Sequence, residues 1–164
     1  MNGRTRRQLL ALLVAALLLL AAGVAANAAE SQRGEVHLAM ISPLTGPLSF
    51  VGQDNRAGVE AAIREINAKG GVKGRRIRLQ IFDDGSNPSQ GVIHMQRVAA
   101  DSKFVGVIGS GFSSVGLAVQ PIVEREKIPY ISMASSAAQV TPAKPYYFMT
   151  TATSRLFAYS MAAQ

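Results

Sequence analysis

From Glu35 onward the chain alternates short apolar runs with longer stretches in which apolar residues recur at helical spacing. "EVHLAMI" (Glu35 to Ile41) predicts a strand, and "SPLTGPLSFVGQ" after it reads as a loop marked by two prolines and two glycines. "DNRAGVEAAIREINAKGG" places Val59, Ala62, Ile63 and Ile66 on one helical stripe and Glu60, Arg64 and Glu65 on the other side, with Gly70 as its C-terminal stop. "GRRIRLQIFDD" alternates Ile77, Leu79 and Ile81 with Arg76, Arg78 and Gln80, which predicts a strand with one charged face near a sheet edge. In "SNPSQGVIHMQRVAAD", Asn87 is placed to cap a helix that begins at Pro88 and buries Val92, Met95, Val98 and Ala99. "FVGVIG" is apolar throughout, as a central parallel strand is. "SSVGLAVQPIVEREK" predicts the next helix, kinked at Pro121, "IPYISM" a fourth strand, "YYFMTT" a fifth, and "SRLFAYSMAAQ" a further helix. Strand and helix in alternation predict an α/β fold of three layers, α/β/α, around a mainly parallel sheet with right-handed crossovers.

The residues before this region follow a different pattern. Arg4, Arg6 and Arg7 are followed by an apolar core from Leu9 to Leu20 and a tail of small residues, and Ala26-Asn27-Ala28 fits an export cleavage site with Ala29 as the mature N-terminus. Leu9 to Ala26 carries no charge and also reaches the minimum length of a membrane span, but its second half is Ala/Gly rather than Leu/Ile/Phe and no basic stop follows. "TRRQLL" loosely fits a twin-arginine export pattern, with a core more hydrophobic than that route prefers. The expected division is a signal peptide over 1–28, one globular lobe over 29–150, and the start of a further region over 151–164, with a periplasmic location. Loss of the three leader arginines reduces the formal charge from +7 to +4, which weakens any argument for a nucleic-acid partner. The absence of cysteine excludes disulfides, thiol chemistry and a lipid-bearing cysteine at the cleavage site.

In parallel sheets, ligands bind outside the carboxyl ends of the strands. Three predicted loops reach that rim: Pro43 to Gly52 past the first strand, Ser113-Ser114 past the third, and Ser135-Ser136, which cluster with Ser132, past the fourth. Hydroxyls and unpaired N–H groups at a helix start suit a carboxylate, whereas the commoner role for Ser113 or Ser114 is to cap its own helix. Enzyme readings are weaker. "GFSSVG" does not fit the G-x-S-x-G elbow, and His37 inside a strand and His94 inside a helix are not placed as bases for those serines. Asp83-Asp84 reads as loop and helix-capping carboxylates rather than a metal site. "GVIGSG" lacks the full dinucleotide fingerprint, and "KGRRIR" alternates as a solvated strand face does.

"SPLTGPLSFVGQDNRAGVEAAIREINAKGGVKGRRIRLQIFDDGSNPSQ" and "VGVIGSGFSSVGLAVQPIVEREKIPYISMASSA", in that order, resemble the first lobe of the branched-chain amino acid binding proteins, the type I periplasmic solute-binding proteins of ABC importers. The resemblance implies a non-enzymatic protein that uses no cofactor, closes two lobes on a small amino acid, and delivers it to a permease in the inner membrane. By position, Ser113 matches the hydroxyl that holds the ligand carboxylate. Ala134 and Ser136 match the residues whose backbone and hydroxyl groups hold its carboxylate and ammonium, with Ser135 between them. Phe50 and Val51 match the loop that lines the pocket, and Phe112 adjoins it. Val51 stands where such binders often carry tyrosine, and "FMT" at Phe148 to Thr150 replaces their usual F-R-T. Family members run to well over twice this length, so the resemblance implies a chain truncated before the second lobe, which would bring the acidic partner of the ammonium. The alternative is a ligand-sensing or protein-interaction module built on a single lobe.

Overall fold

A computed structural model describes residues 34–163. The signal peptide expected over 1–28 lies outside the described residues. Five strands, all parallel, are ordered β2-β1-β3-β4-β5: β1 (Glu35–Ser42), β2 (Arg76–Asp83), β3 (Phe104–Ile108), β4 (Tyr130–Ser132) and β5 (Tyr147–Met149). The helices between them are α1 (Ser49–Ala68), α2 (Pro88–Ala100) and α3 (Ser113–Glu126), and α4 (Ser154–Ala162) follows β5. The arginine-bearing β2 is an edge strand and the apolar β3 is central, as their patterns predict. The last two strands are shorter than the runs that announce them, only three residues each.

Strand order sets the layers. The chain moves from β1 to β2 in one direction and from β2 back past β1 to β3 in the other, so right-handed crossovers place α1 on one face and α2 on the opposite face. On the α2 face, Met95 and Val98 of α2 and Val115, Val119, Ile122 and Val123 of α3 close over Ala39, Ile41, Val107, Tyr130 and Tyr147 in one buried cluster. Tyr130 and Tyr147 stack with centroids 4.8 Å apart, an arrangement worth about 1 kcal/mol beyond the area it buries.

The α1 face is covered on one side only. Met40 and Ile77 are buried there, but Ile131 and Phe148, which pair across β4 and β5, remain 40% and 51% exposed. The predicted inward stripe of α1 is correspondingly incomplete. Val59 and Ile63 are half-buried, whereas Ala62 and Ile66 are exposed, because α1 lies over the β1–β2 half of the sheet and the face beside it is open.

Local signals account for the element ends. Asn87 accepts hydrogen bonds from the Ser89 and Gln90 amides, and Pro88 opens α2. After Ala68 the Gly70 and Gly71 amides donate to the Asn67 and Ile66 carbonyls, a Schellman ending that Gly70 permits at φ +94°. Helix α3 runs through Pro121 to Glu126 as one element. The ladder bond that the proline removes is to Leu117, and both residues are exposed, so water can meet the freed carbonyl.

Asn67 ties α1 to the sheet edge. Its Oδ1 accepts from the Ile77 amide at 2.7 Å and its Nδ2 donates to the Ile77 carbonyl at 3.0 Å, doing for the edge strand what a neighbouring strand would do. Asn67→Ala should lower the unfolding free energy by about 1–3 kcal/mol, since both backbone groups of Ile77 lose a partner. Urea denaturation compared with the wild type checks this, and an unchanged midpoint would contradict the tie.

Candidate functional site

The strands end in a belt of buried polar residues: Ser42 at the end of β1, Asp84 after β2, Ser110 after β3 and Ser132 at the end of β4, all with no exposed surface. Polar groups at such depth need partners; Ser42 Oγ meets none among the described residues, but at the other three positions the partners shape the loops. Ser110 Oγ accepts from the Phe112 amide at 3.1 Å, Ser132 Oγ from the Ala134 amide at 3.2 Å, and Asp84 Oδ1 from the Ser86 amide at 2.9 Å. Each side chain bonds the amide two residues on, which turns the chain sharply as it leaves the sheet.

The β1 loop is fastened to the β2 loop by Asp83. Its carboxylate accepts from the Leu44 amide at 2.8 Å, the Thr45 amide at 3.2 Å, the Thr45 hydroxyl at 2.7 Å and the Gly85 amide at 2.9 Å. Burial pushes this carboxyl up, but those hydrogen bonds outweigh it and hold the group below the ordinary 3.8. Asp84 goes the other way. Burial raises it above 3.8 against the lowering effects of the Ser110 hydroxyl and the Ser86 amide, the neighbouring Asp83 charge adds to the rise, and His94 opposes it. The capping role expected for the acidic pair is thus filled by Asn87 instead, and Asp83 organises loops.

The β3 loop approaches α1. A Cβ on Gly111 would stand 2.8 Å from Asn55 Nδ2 and 2.9 Å from Val51 Cγ1, so a side chain at 111 would force the two apart. Val51 therefore lies against the loop that leads to Ser113. Phe50 and Val51 belong to the first turn of α1 rather than to the preceding loop, because the helix begins at Ser49, earlier than its apolar pattern suggests. Phe50 is 65% exposed, and Phe112 is partly buried against the core cluster.

Ser113 does not cap its helix. The N-cap is Phe112, with no side-chain cap bond, and Ser113 and Ser114 are the first two helical residues. Their amides have no helical acceptor by geometry, and no acceptor among the described residues meets them. Adjacent to this turn, Ser135 and Ser136 follow β4, which pairs with β3 through Ile108 and Ile131. Their amides and hydroxyls likewise have no acceptor among the described residues. Ser132 behaves differently from these two, although the three cluster in sequence: it is wholly buried, and its hydroxyl donates to Gln139 Oε1 at 2.7 Å. Gln139 Oε1 also accepts from the Tyr147 hydroxyl at 2.6 Å. Burial pushes Tyr147 up to about 12, so it remains a donor.

Ala134 is engaged on both sides. Its amide donates to Ser132, and its carbonyl accepts from Thr151 Oγ1 at 2.7 Å. Ser110, Gln139 and Thr151 carry no sequence signal of these roles; a serine or glutamine beside an apolar run shows neither its depth nor its partner. His94 Nε2 lies 2.9 Å from the Asp83 carbonyl and its ring packs on Phe82, while His37 faces Glu35 at 3.6 Å. Neither meets a serine hydroxyl among the described residues. No cluster there could hold a metal ion, and no helix there is long and apolar enough to cross a membrane.

Residues 35–164 match the periplasmic binding protein family. The Leu/Ile/Val-binding protein homolog 7 of Brucella melitensis is 33% identical over 135 residues, which cover 82% of this chain and 32% of that relative. A type 1 periplasmic binding protein from Bordetella pertussis superimposes with a TM-score of 0.70 at 30% identity, over 73% of this chain and 34% of its own. A leucine binding protein from Thermotoga maritima gives the same TM-score at 26% identity, over 78% and 36%. The chain spans about a third of the length of the curated relatives it matches.

Ser132→Ala should cost about 2–4 kcal/mol, because it strands the Ala134 amide and removes a donor from buried Gln139; chemical denaturation checks this, and a loss under ~0.5 kcal/mol would contradict the belt. The raised Asp84 carboxyl makes a signed prediction. Its stabilising contribution is complete below the ordinary 3.8 and is lost as pH rises through its higher folded value. Asp84→Asn should therefore flatten the decline of stability above that pH, as measured by urea midpoints between acid and neutral pH.

Proposed function

The chain belongs to the periplasmic binding protein family, and on that premise we propose that it supplies one lobe of the solute-binding component of an ABC importer. Its solute is an amino acid, branched-chain or a related small carboxylate, taken up in the periplasm and passed to a permease of the inner membrane. One observation supports the site above all: two neighbouring strand ends present serines whose amides and hydroxyls have no protein acceptor among the described residues. Ser113 and Ser114 carry the positive end of the α3 dipole, and Ser135 and Ser136 follow β4, the strand next to β3. Preorganised donors of this kind replace water around a carboxylate. Phe50, Val51 and Phe112 form the apolar margin that meets the solute's side chain, and 151–164 forms the start of the hinge and second-lobe region.

A second reading rests on a different observation. Ile131 and Phe148 on the open sheet face, and Leu156, Phe157, Tyr159 and Met161 on α4, are all exposed, and none of the residues of α4 is buried. Apolar area of this kind favours a protein contact, so the same lobe would also serve as an interaction module. Sedimentation separates the two: a defined dimer at low micromolar concentration supports the module, and a monomer supports the transport lobe alone.

The transport reading is tested by titrating L-leucine into the isotope-labelled chain and following its amide resonances. Half a cleft leaves the solute largely hydrated, so a dissociation constant of about 1 mM, near −4 kcal/mol, is expected, with shifts confined to Ser113, Ser114, Ser135 and Ser136. Micromolar binding by calorimetry would mean that one lobe suffices. Ser113→Ala and Ser136→Ala should each weaken the effect about threefold to tenfold.

A further inference from the structure

We infer that the pole of this lobe opposite the rim is a docking surface for an anionic phospholipid bilayer. The inference goes beyond the solute-binding reading and does not rest on it. Because all five strands are parallel, the connections that enter β2, β3, β4 and β5 lie together at the amino ends of the strands. Most cations of the lobe collect there. Arg78 pairs with Glu35, Lys69 with Glu65, Lys103 with Asp101 at 2.9 Å and Arg125 with Glu126 at 2.7 Å. Lys73, Arg75, Arg76, Arg97, Lys127 and Lys144 have no acidic partner within ion-pair distance among the described residues, and all but Lys144 are exposed. Glu124 is the one carboxylate left to oppose them at that end among the described residues. Nearer the carboxyl ends the balance reverses: Arg56 is paired with Glu60, and Asp54, Asp83 and Asp84 stand against Arg155.

The connection into β2 is rigid. The Val72 amide donates to the Arg75 carbonyl at 2.8 Å, and the Arg75 amide donates to the Val72 carbonyl at 3.0 Å. Between them Lys73 and Gly74 have φ of +53° and +74°, the two left-handed residues that a two-residue hairpin turn requires. The Arg75 side chain donates to the Glu35 carbonyl, which fastens the turn to the start of β1. Lys73, Arg75 and Arg76 therefore meet a surface without first ordering their backbone. Val72, flanked in sequence by Lys69 and Lys73, is 43% exposed and supplies an apolar contact at headgroup level. The unpaired cations belong to four separate connections, and β2 and β4 stand three strand spacings apart, about 14 Å. Charge spread in this way suits headgroups, which diffuse to meet each cation. A nucleic acid needs a row that tracks its backbone or an aromatic face for its bases, and no exposed aromatic side chain lies in these connections.

Flotation of the full chain tests this with vesicles of phosphatidylglycerol mixed with phosphatidylcholine, and with vesicles of phosphatidylcholine alone. Partition onto the mixed vesicles should exceed that onto the neutral ones and fall about tenfold or more between about 0.05 M and about 0.5 M salt. Arg4, Arg6, Arg7 and the apolar run after them are common to every variant, so comparison among variants reads the pole. Lys73→Asn, which suits a positive φ, and Arg76→Gln should each lower partition onto the mixed vesicles about fivefold, and combined with Lys127→Asn about a hundredfold. Partition onto neutral vesicles should not change, and Arg76→Lys should stay within about twofold of the wild type. Equal partition of the wild type onto both kinds of vesicle, or a triple variant that partitions as the wild type does, overturns the inference while the solute-binding reading stands. Capture of a DNA duplex that these substitutions abolish, without preference for the anionic vesicles, overturns it in favour of a nucleic acid.

Discussion

The hydroxyl of Ser132 sits at the end of a strand with no exposed surface, and the geometry of the rim follows from how it is satisfied. It donates to Gln139 and accepts from the Ala134 amide. A buried hydroxyl without partners costs more than the net worth of the bonds it makes, so the loop after β4 is held where the Ala134 amide can reach inward. Gln139, drawn in by Ser132 and Tyr147, brings the turn Ala137–Gln139 down onto α3, where the Gln120 side chain meets the Gln139 carbonyl at 2.6 Å. Ser135 and Ser136 lie between these anchors. Their position outside the core is therefore set by two residues inside it.

The sheet order adds a second constraint. Because β1 leads outward to β2 and β3 leads outward to β4, the connections after β1 and β3 leave on opposite faces, and the space between them opens at the strand ends. The close approach of Gly111 to Val51 and Asn55 narrows that space from the α1 side. Asp83 fixes the other wall by collecting donors from the β1 loop, and its lowered pKa reflects the same bonds. The cleft walls are thus held by polar groups, while the hydrophobic cluster holds the layers beneath them.

Much of this architecture is legible in the residues. The alternation of Ile77, Leu79 and Ile81 with arginines marks an edge strand, the unbroken "FVGVI" marks the centre, and Asn87-Pro88 marks a helix start, because each depends on local chemistry that the chain carries in order. The incomplete burial of α1 was not legible, since Ala62 and Ile66 have the right spacing and only the strand order shows that nothing lies beneath them. The start of α1 at Ser49 was hidden by two prolines and two glycines just before and within its first turn. At the site, the positions of Ser113, Ser135 and Ser136 follow from counting past the strands. The separation of Ser132 from its neighbours depends on depth, which a serine cluster does not encode. Thr151 was beyond reach for a related reason: its partner, Ala134, is brought to it only by the pairing of β4 with β5.

Belt and rim treat the same chemical groups in opposite ways, and the proposed site depends on this difference. In the belt, the Ser110 and Ser132 hydroxyls are bonded within the protein, because no water reaches them and an unmade bond would destabilise the fold. At the rim, amides at the start of α3 are left without acceptors, and Ser114 is exposed, so water satisfies them while the site is empty. An unpaired donor there costs the fold little, since hydration already meets it, yet it stays fixed in direction by the helix it begins. On the proposed reading, a carboxylate that displaced that water would exchange one set of bonds for another, with the α3 dipole as the net gain. The proposed attraction would therefore be modest for one lobe and would grow against a second surface that excludes the remaining water, because the same donors act more strongly in a lower local dielectric.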